Sequence, residues 1–574
     1  MHYELCIINH PGEHIVEITT KAHRGRIAIR TFKITADALA LRGYYKPSGR
    51  SGQTLEESLR MLSPEIYGTM NDPRIIELKG LEYVIDRLPK GIEECNRIIL
   101  TAEENLNQTA FEKIVPLRRR RVSYLISENE INFIITQGMS EIYDILTHLT
   151  FLNIESHKIK NQIYNGSENK TSEWLILEEN IKSGSLTGTG LDRALWNLSI
   201  ILGRTFNETR NTYEYLENSK REKGSNNGLF KIIYELGMRA LKDEEGGDNM
   251  LIIYFTPSLK DMIGSHKFGP VWANNIKRKL LELGLEKRPL HIISANMHSV
   301  MNALYAWEAL KNTRSSDNED VYDFIAKSRE HQNKIKEFAK ANGLIELPDI
   351  TGYAIDCQII DMAMFNNIEI HREIGVENKG SANDKPVIIV IDYAFGAQAF
   401  EVMDELLYPY IDKEKIECNF RSISIMGKAG ILPGQKGDIM LPTAHVFEGN
   451  PHNYIVVNDL SPKDFDGSIP VFVGPIVTVL GTSLQNIDVL EKFQKSSWGA
   501  VGLEMEGGHF QRAINAAVIR GHIPCDVKVR YAYYASDNPL LSGQTLSSGA
   551  LGDDGIKPTY MITGAILKKI FNKN

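Results

Sequence analysis

Apolar residues recur at every third or fourth position through roughly the first 175 residues. The segments EIYGTMNDPRIIELKGLEYVIDRL and NEINFIITQGMSEIYDILTHLTFL show it best, and the spacing predicts amphipathic helices. The stretch YNGSENKTSE from Tyr164 is polar and rich in turn formers, so it reads as a loop or linker. Helical spacing resumes in LDRALWNLSIILGRTFNETRNTYEYLENS. Just before it, GSLTGTG lacks the Lys-Ser/Thr of a phosphate-cradling loop and reads as a turn. KDEEGGDN then precedes the short apolar run MLIIYF, and no repeat period is visible.

From about Arg288 the texture changes to short β-branched strands followed by helices. RPLHIISANMHSVMNALYAWEAL, KPVIIVIDYAFGAQAFEVMDELL and GAVGLEMEGGHFQRAINAAVIRG each run from strand into helix. RSISIMGKAGILPGQKGDIMLP adds a strand with a Gly-rich turn, IPVFVGPIVTVLG reads as a strand pair, and DVKVRYAYYASDNP ends a strand in a polar loop. Such alternation predicts an α/β fold with a largely parallel or mixed sheet covered by helices. In sheets of this kind ligands sit at the carboxyl ends of the strands. The polar clusters Asn296–Ser299, Gly427–Gly430, Glu504–Glu506 and Ser536–Asn538 fall there. The predicted organisation is a mainly helical region over 1–280, of assembly or regulatory character, followed by a ligand-handling domain over 285–574.

A chain of 574 residues exceeds one ordinary core, so two or three domains are expected. With 42% hydrophobic and 24% charged residues it has the composition of a soluble globular protein, and a net charge of −8 argues against general nucleic-acid or membrane-surface binding. The five scattered cysteines, Cys6, Cys95, Cys357, Cys418 and Cys525, contain no CxxC pair and suggest neither a disulfide frame nor a zinc site. The opening MHYELCIINHPGEH lacks the pattern of a secretion signal, and no apolar stretch reaches membrane-spanning length. The expectation is a cytoplasmic protein, in which the sequons at Asn165 and Asn169 go unused. The basic run Arg118–Arg121 could bind an anion but reads first as a solvated helix face.

The chemistry concentrates in AVGLEMEGGHF, where Glu504 and Glu506 bracket Met505 at a strand-to-helix corner. A lone carboxylate is costly to bury, so the pair needs a reason. A carboxylate can accept from two adjacent hydroxyls at once, which suits the cis-diol of a ribose, and methionine can pack on the sugar's apolar face. Alternatively both glutamates simply favour the dipole of the helix they precede. Asp537 in ASDNP is either an ordinary turn former or a second functional carboxylate facing the same pocket. A diol acceptor beside a protonatable carboxyl is the equipment for cleaving an N-ribosidic bond: the acid protonates the leaving base while the acceptor holds the sugar.

GLEMEGG, the downstream ASDNP, IMGKAGIL with KGDIMLP, and IVTVLGTS stand in the order seen in the nucleoside phosphorylase/nucleosidase family. The chain resembles that family over roughly residues 285–574, and within it most resembles the AMP nucleosidases. The resemblance implies a nucleoside-phosphorylase-like mixed sheet and a purine nucleoside or nucleotide as the small-molecule partner. It implies that Asp537 is the acid at the purine N7, Glu506 binds the ribose hydroxyls, Met505 lines the sugar and Ser536 orients the base. Gly427 and Lys428 would lie at the phosphate or water end, and Gly481, Thr482 and Ser483 would border the base. It also implies a homo-oligomer; no cofactor or metal is called for.

Two departures refine the expected reaction. Phosphorylases of this family carry an arginine where Ile425 stands and a serine where Lys428 stands, so hydrolysis is expected rather than phosphorolysis, although Lys428 could hold a phosphate as a point charge. Hydrolytic relatives place an acidic residue in the first-strand loop, which here offers Asn296 and His298 instead. His298 is either a base for water or the cap of the next helix. His445 and His452 read as surface or packing residues. A sensor that binds a nucleoside or nucleotide without cleaving it is the competing class.

Overall fold

Runs of β-branched residues build two mixed sheets whose faces are covered by helices. The computed structural model describes residues 20–541 and 552–571, apart from 103–104, 120, 185–187, 247–249, 265–266, 315, 317, 366–367, 377, 379–380 and 413–414. The opening segment with Cys6, Arg120, the middle of GSLTGTG and the end of the KDEEGGDN stretch lie outside the described residues.

The second half carries a ten-stranded sheet. Val387–Ile391 is buried along its whole length and pairs in parallel with Leu290–Ser294, which pairs in parallel with Phe420–Ile431. A strand covered on both faces reads as an unbroken apolar run, as VIIVI does. Cys357–Asp361 and Leu344–Leu347 extend one side antiparallel. On the other side the sheet curls into a closed ring. Phe420–Ile431 pairs with Gly502–Glu504, that strand with Val471–Thr478, and that in turn with Ile439–Phe447. Lys528–Asp537 closes the ring, lying parallel to Phe420–Ile431 and touching Ile439–Phe447 through Ile439↔Tyr534 and Met440↔Tyr533. The IPVFVGPIVTVLG segment is therefore one strand, not two. It runs straight through Gly474 and Pro475, and the ladder absorbs the missing N–H with a register shift between Pro442 and Ala444.

The first half holds a six-stranded sheet as well as helices, so the mainly helical expectation is incomplete there. In NEINFIITQGMSEIYDIL the helix begins only at Met139; Glu130–Ile134 is a strand that buries Ile131 and Phe133, pairing with Arg97–Thr101 and Val122–Ser127. Helix Met139–Tyr164 is buried on nearly every face, and it carries Ser140, Glu141, Asp144 and His148 to the seam between the halves. Ser140 Oγ accepts from the Ala397 N–H at 2.8 Å, Tyr83 Oη lies 3.1 Å from Thr482 Oγ1, and Asn486 donates to Leu62 O at 2.9 Å. Among the described residues no helix is long and apolar enough to cross a membrane, and Cys95, Cys357, Cys418 and Cys525 are unpaired.

Candidate functional site

Strands that run parallel release their carboxyl ends on one edge, and there a cavity of about 790 Å3 opens. Its walls come from the ends of Leu290–Ser294, Val387–Ile391, Phe420–Ile431, Gly502–Glu504 and Lys528–Asp537. Of the residues singled out in the sequence, Asn296, His298, Gly427, Lys428, Thr482, Met505, Glu506 and Ser536 line it together. Asp537, Gly481 and Ser483 do not, although each adjoins a residue that does.

The two glutamates have divided roles. Glu504 is buried at the end of its strand and accepts from Thr478 Oγ1 at 2.6 Å and from the N–H groups of Glu506 and Gly507. It thus caps the helix Gly507–Ile519, the dipole role. Burial would raise its pKa, but His445 at 3.4 Å, Thr478 and the amides hold it below the ordinary value. Gly507 fits this corner because a Cβ there would collide with His445 and the Tyr533 hydroxyl. His445 is accordingly a core residue, fully buried and edge-on to Tyr531, whereas His452 is exposed.

Glu504 and Glu506 both border the cavity, but the Glu506 carboxyl has different partners. It lines the cavity and accepts from the Gly396 N–H at 2.9 Å. Burial, reinforced by the charge of Glu504, pushes it up to about 8 against the pull of the Gly396 amide and Arg119. Part of its surface stays open to the cavity, although protein encloses it on every other side. Gly396 sits at φ 55°, and a side chain there would strike Ser140, so glycine lets this amide reach the carboxyl.

Asp537 is 2% exposed. Burial raises its pKa, opposed by the Ser536 hydroxyl and the charge of Lys428. Ser536 Oγ bonds to its Oδ1, while Oδ2 is buried with no hydrogen-bond partner among the described residues. Asn538 ties the following loop to Leu432 O at 3.1 Å and Gly434 O at 2.8 Å. ASDNP is thus a strand end in which Asn538, not Asp537, makes the turn bonds.

In the first-strand loop, Asn296 Oδ1 accepts from the Ser299 N–H at 2.8 Å and caps the Ser299–Ala309 helix. His298 makes no cap bond and stands exposed to the cavity. Desolvation and the nearby Arg329 lower its pKa, so the imidazole is neutral at physiological pH.

The basic run is not a solvated helix face. Arg121 is 2% exposed and pairs with Asp144 at 2.8 Å, while Arg119 grips Asp144 through Nε at 3.1 Å and Nη2 at 3.3 Å. Arg119 also lies 5.1 Å from the Phe395 ring and lines the cavity, so the first half of the chain supplies part of its wall. Tyr393, Tyr533 and Arg329 line it too. The strand-end position of Tyr393 in IDYAFG was a signal for its inclusion. Nothing local to LRRRRV points to a partner across the fold. Among the described residues no group of three or more His, Cys, Asp or Glu side chains is placed to hold a metal ion.

A family model described as "Family of unknown function (DUF6909)" matches residues 53–240 and 321–572. No curated protein matches the sequence. Solved structures similar to it include a putative methylthioadenosine nucleosidase from Weissella paramesenteroides, at 11% identity and TM-score 0.30, covering 50% of this chain and 100% of that one. Isoform 2 of uridine phosphorylase from Schistosoma mansoni in complex with citrate gives 12% identity and TM-score 0.30, with 50% and 87% covered. Futalosine hydrolase of Helicobacter pylori gives 12% identity and TM-score 0.28, with 50% and 97% covered. At those scores none of the three fixes a substrate or a residue's role in this chain.

Proposed function

We propose that this chain, which belongs to the DUF6909 family of unknown function, hydrolyses the N-glycosidic bond of a purine nucleoside or nucleotide to the free base and the sugar. The observation that carries the reading is the meeting, in one cavity, of Glu506, Met505, Lys428, His298 and Ser536 from separate strand ends, with the buried, partly unpartnered Asp537 carboxyl beside Ser536.

In this reading Glu506 bonds the ribose hydroxyls, donating through its O–H while protonated and accepting through the other oxygen, and Met505 packs on the sugar. Asp537, whose pKa burial raises, is the acid that donates a proton to the purine N7 as the C–N bond breaks and the bonding pair leaves with the base. Water adds to the anomeric carbon, and neutral His298 takes its proton. Ile425 forms apolar wall at the position where a phosphorylase would carry arginine, which supports water over phosphate as the nucleophile. Arg119 and Arg329 also line the wall, paired with Asp144 and with Asp553 at 2.7 Å, and a phosphorylated sugar would have to share them with those carboxylates.

A second reading, a sensor that binds but does not cleave, draws on one observation: Asp537 stands back from the cavity surface. The two separate in the Asp537→Asn variant. An enzyme loses turnover and keeps its ligand affinity; a sensor has no turnover to lose.

A further inference from the structure

A second cavity of about 570 Å3 lies between helix Lys21–Arg42, the start of helix Met139–Tyr164 and the loop that follows strand Ile439–Phe447. Val479 borders both cavities, and Ser140 and Ala397, hydrogen-bonded to each other, line this one. Among the described residues its lining contains Arg30, Lys33 and Arg512 and no carboxylate. Lys33 is balanced by Asp37 at 2.7 Å, but Arg30 and Arg512 have no acidic partner among the described residues. Arg512 rests on the Phe400 ring at 4.4 Å, which orients its guanidinium without neutralising it. Unneutralised guanidiniums suit bidentate phosphate recognition.

The same walls present aromatic surface. Phe447 stands edge-on to Tyr454 at 6.0 Å and to His509 at 5.0 Å, and all three line the cavity. Flat rings next to unpaired arginines match a ligand that is anionic at one end and planar at the other. We propose that this cavity binds a phosphorylated nucleoside, its phosphates on Arg30 and Arg512 and its base against Phe447 and Tyr454. The site is separate from the one assigned above and holds whether or not that one cleaves anything.

Isothermal titration with ADP, pyrophosphate and adenosine tests it on the full chain. Arg30 and Arg512 are exposed, so their replacement leaves the core untouched. In Arg30→Met/Arg512→Met the affinity for ADP and for pyrophosphate should fall at least about tenfold, as loss of a charge-assisted bond worth about 1.5–3 kcal/mol requires. Arg30→Lys/Arg512→Lys should recover part of it. Tyr454→Ala should weaken ADP and leave pyrophosphate unchanged, and Glu506→Gln should leave one ADP site per chain intact. An unaltered ADP affinity in the double methionine variant, or loss of all ADP binding in Glu506→Gln, overturns the proposal. Equal effects of Tyr454→Ala on ADP and pyrophosphate would also overturn it, by removing the base from the site.

Discussion

Glu504 and Glu506 are two residues apart, yet their carboxyls have opposite fates. The first spends its oxygens on Thr478 and the helix amides and stays ionised; the second has one amide and a neighbouring negative charge, and rises to about 8. The sequence made the pair conspicuous, but which glutamate caps the helix depends on which way each strand-end side chain points. Because Glu506 ionises at higher pH when folded than when unfolded, its contribution to stability is fully present below about 4.5 and is lost as pH rises through about 8. Glu506→Gln should therefore be more stable than the wild type at pH 8–9, by on the order of 2 kcal/mol after allowing for water at the cavity, with the gain vanishing near pH 4. Thermal melts at the two pH values check this, and an equal gain at both would contradict it. Asp537→Asn keeps the shape of the side chain but carries no transferable proton. Its turnover should fall by about 10²–10⁴-fold with ligand affinity little changed, measured by steady-state kinetics beside ligand titration.

At the scale of elements, the strand–helix alternation after Arg288 was legible because each strand is an apolar run and each helix follows at once. The strands of the first half were not. Glu130–Ile134 alternates correctly for a strand, but its apolar positions merge with the spacing of the helix that starts at Met139. Ring closure was equally hidden, since Lys528–Asp537 meets Ile439–Phe447 through only two residue pairs. Arg119 was misread for a related reason: its partner Asp144 lies on a helix 25 positions away and its ring contact Phe395 in the other half. This arrangement makes a graded prediction. Asp144→Asn leaves Arg119 without its anion and Arg121 with only Glu141 at 3.4 Å, and should destabilise by about 3–5 kcal/mol in urea denaturation. Arg119→Met leaves Asp144 paired with Arg121 and should cost clearly less, while weakening binding of phosphorylated ligands more than of unphosphorylated ones.

Across the whole molecule, the first half is wall as well as neighbour: Arg119 enters the larger cavity, Ser140 props the Gly396 turn, and Tyr83 meets Thr482. Residues of both halves therefore line one cavity. Closed symmetric assembly is the default for soluble proteins, and a dimer or a multiple of dimers is expected here. Light scattering at micromolar concentration should give at least twice the chain mass of 64.7 kDa; a monomer would contradict that.

The larger cavity is proposed to cleave an N-glycosidic bond with water. Incubating the full chain with a panel of purine nucleosides and 5′-nucleotides, with and without inorganic phosphate, and separating the products by chromatography tests it most directly. Free purine is expected together with ribose or ribose 5-phosphate, at a rate indifferent to added phosphate. Release of no base from any member of the panel, or ribose 1-phosphate as the sugar product, would contradict it.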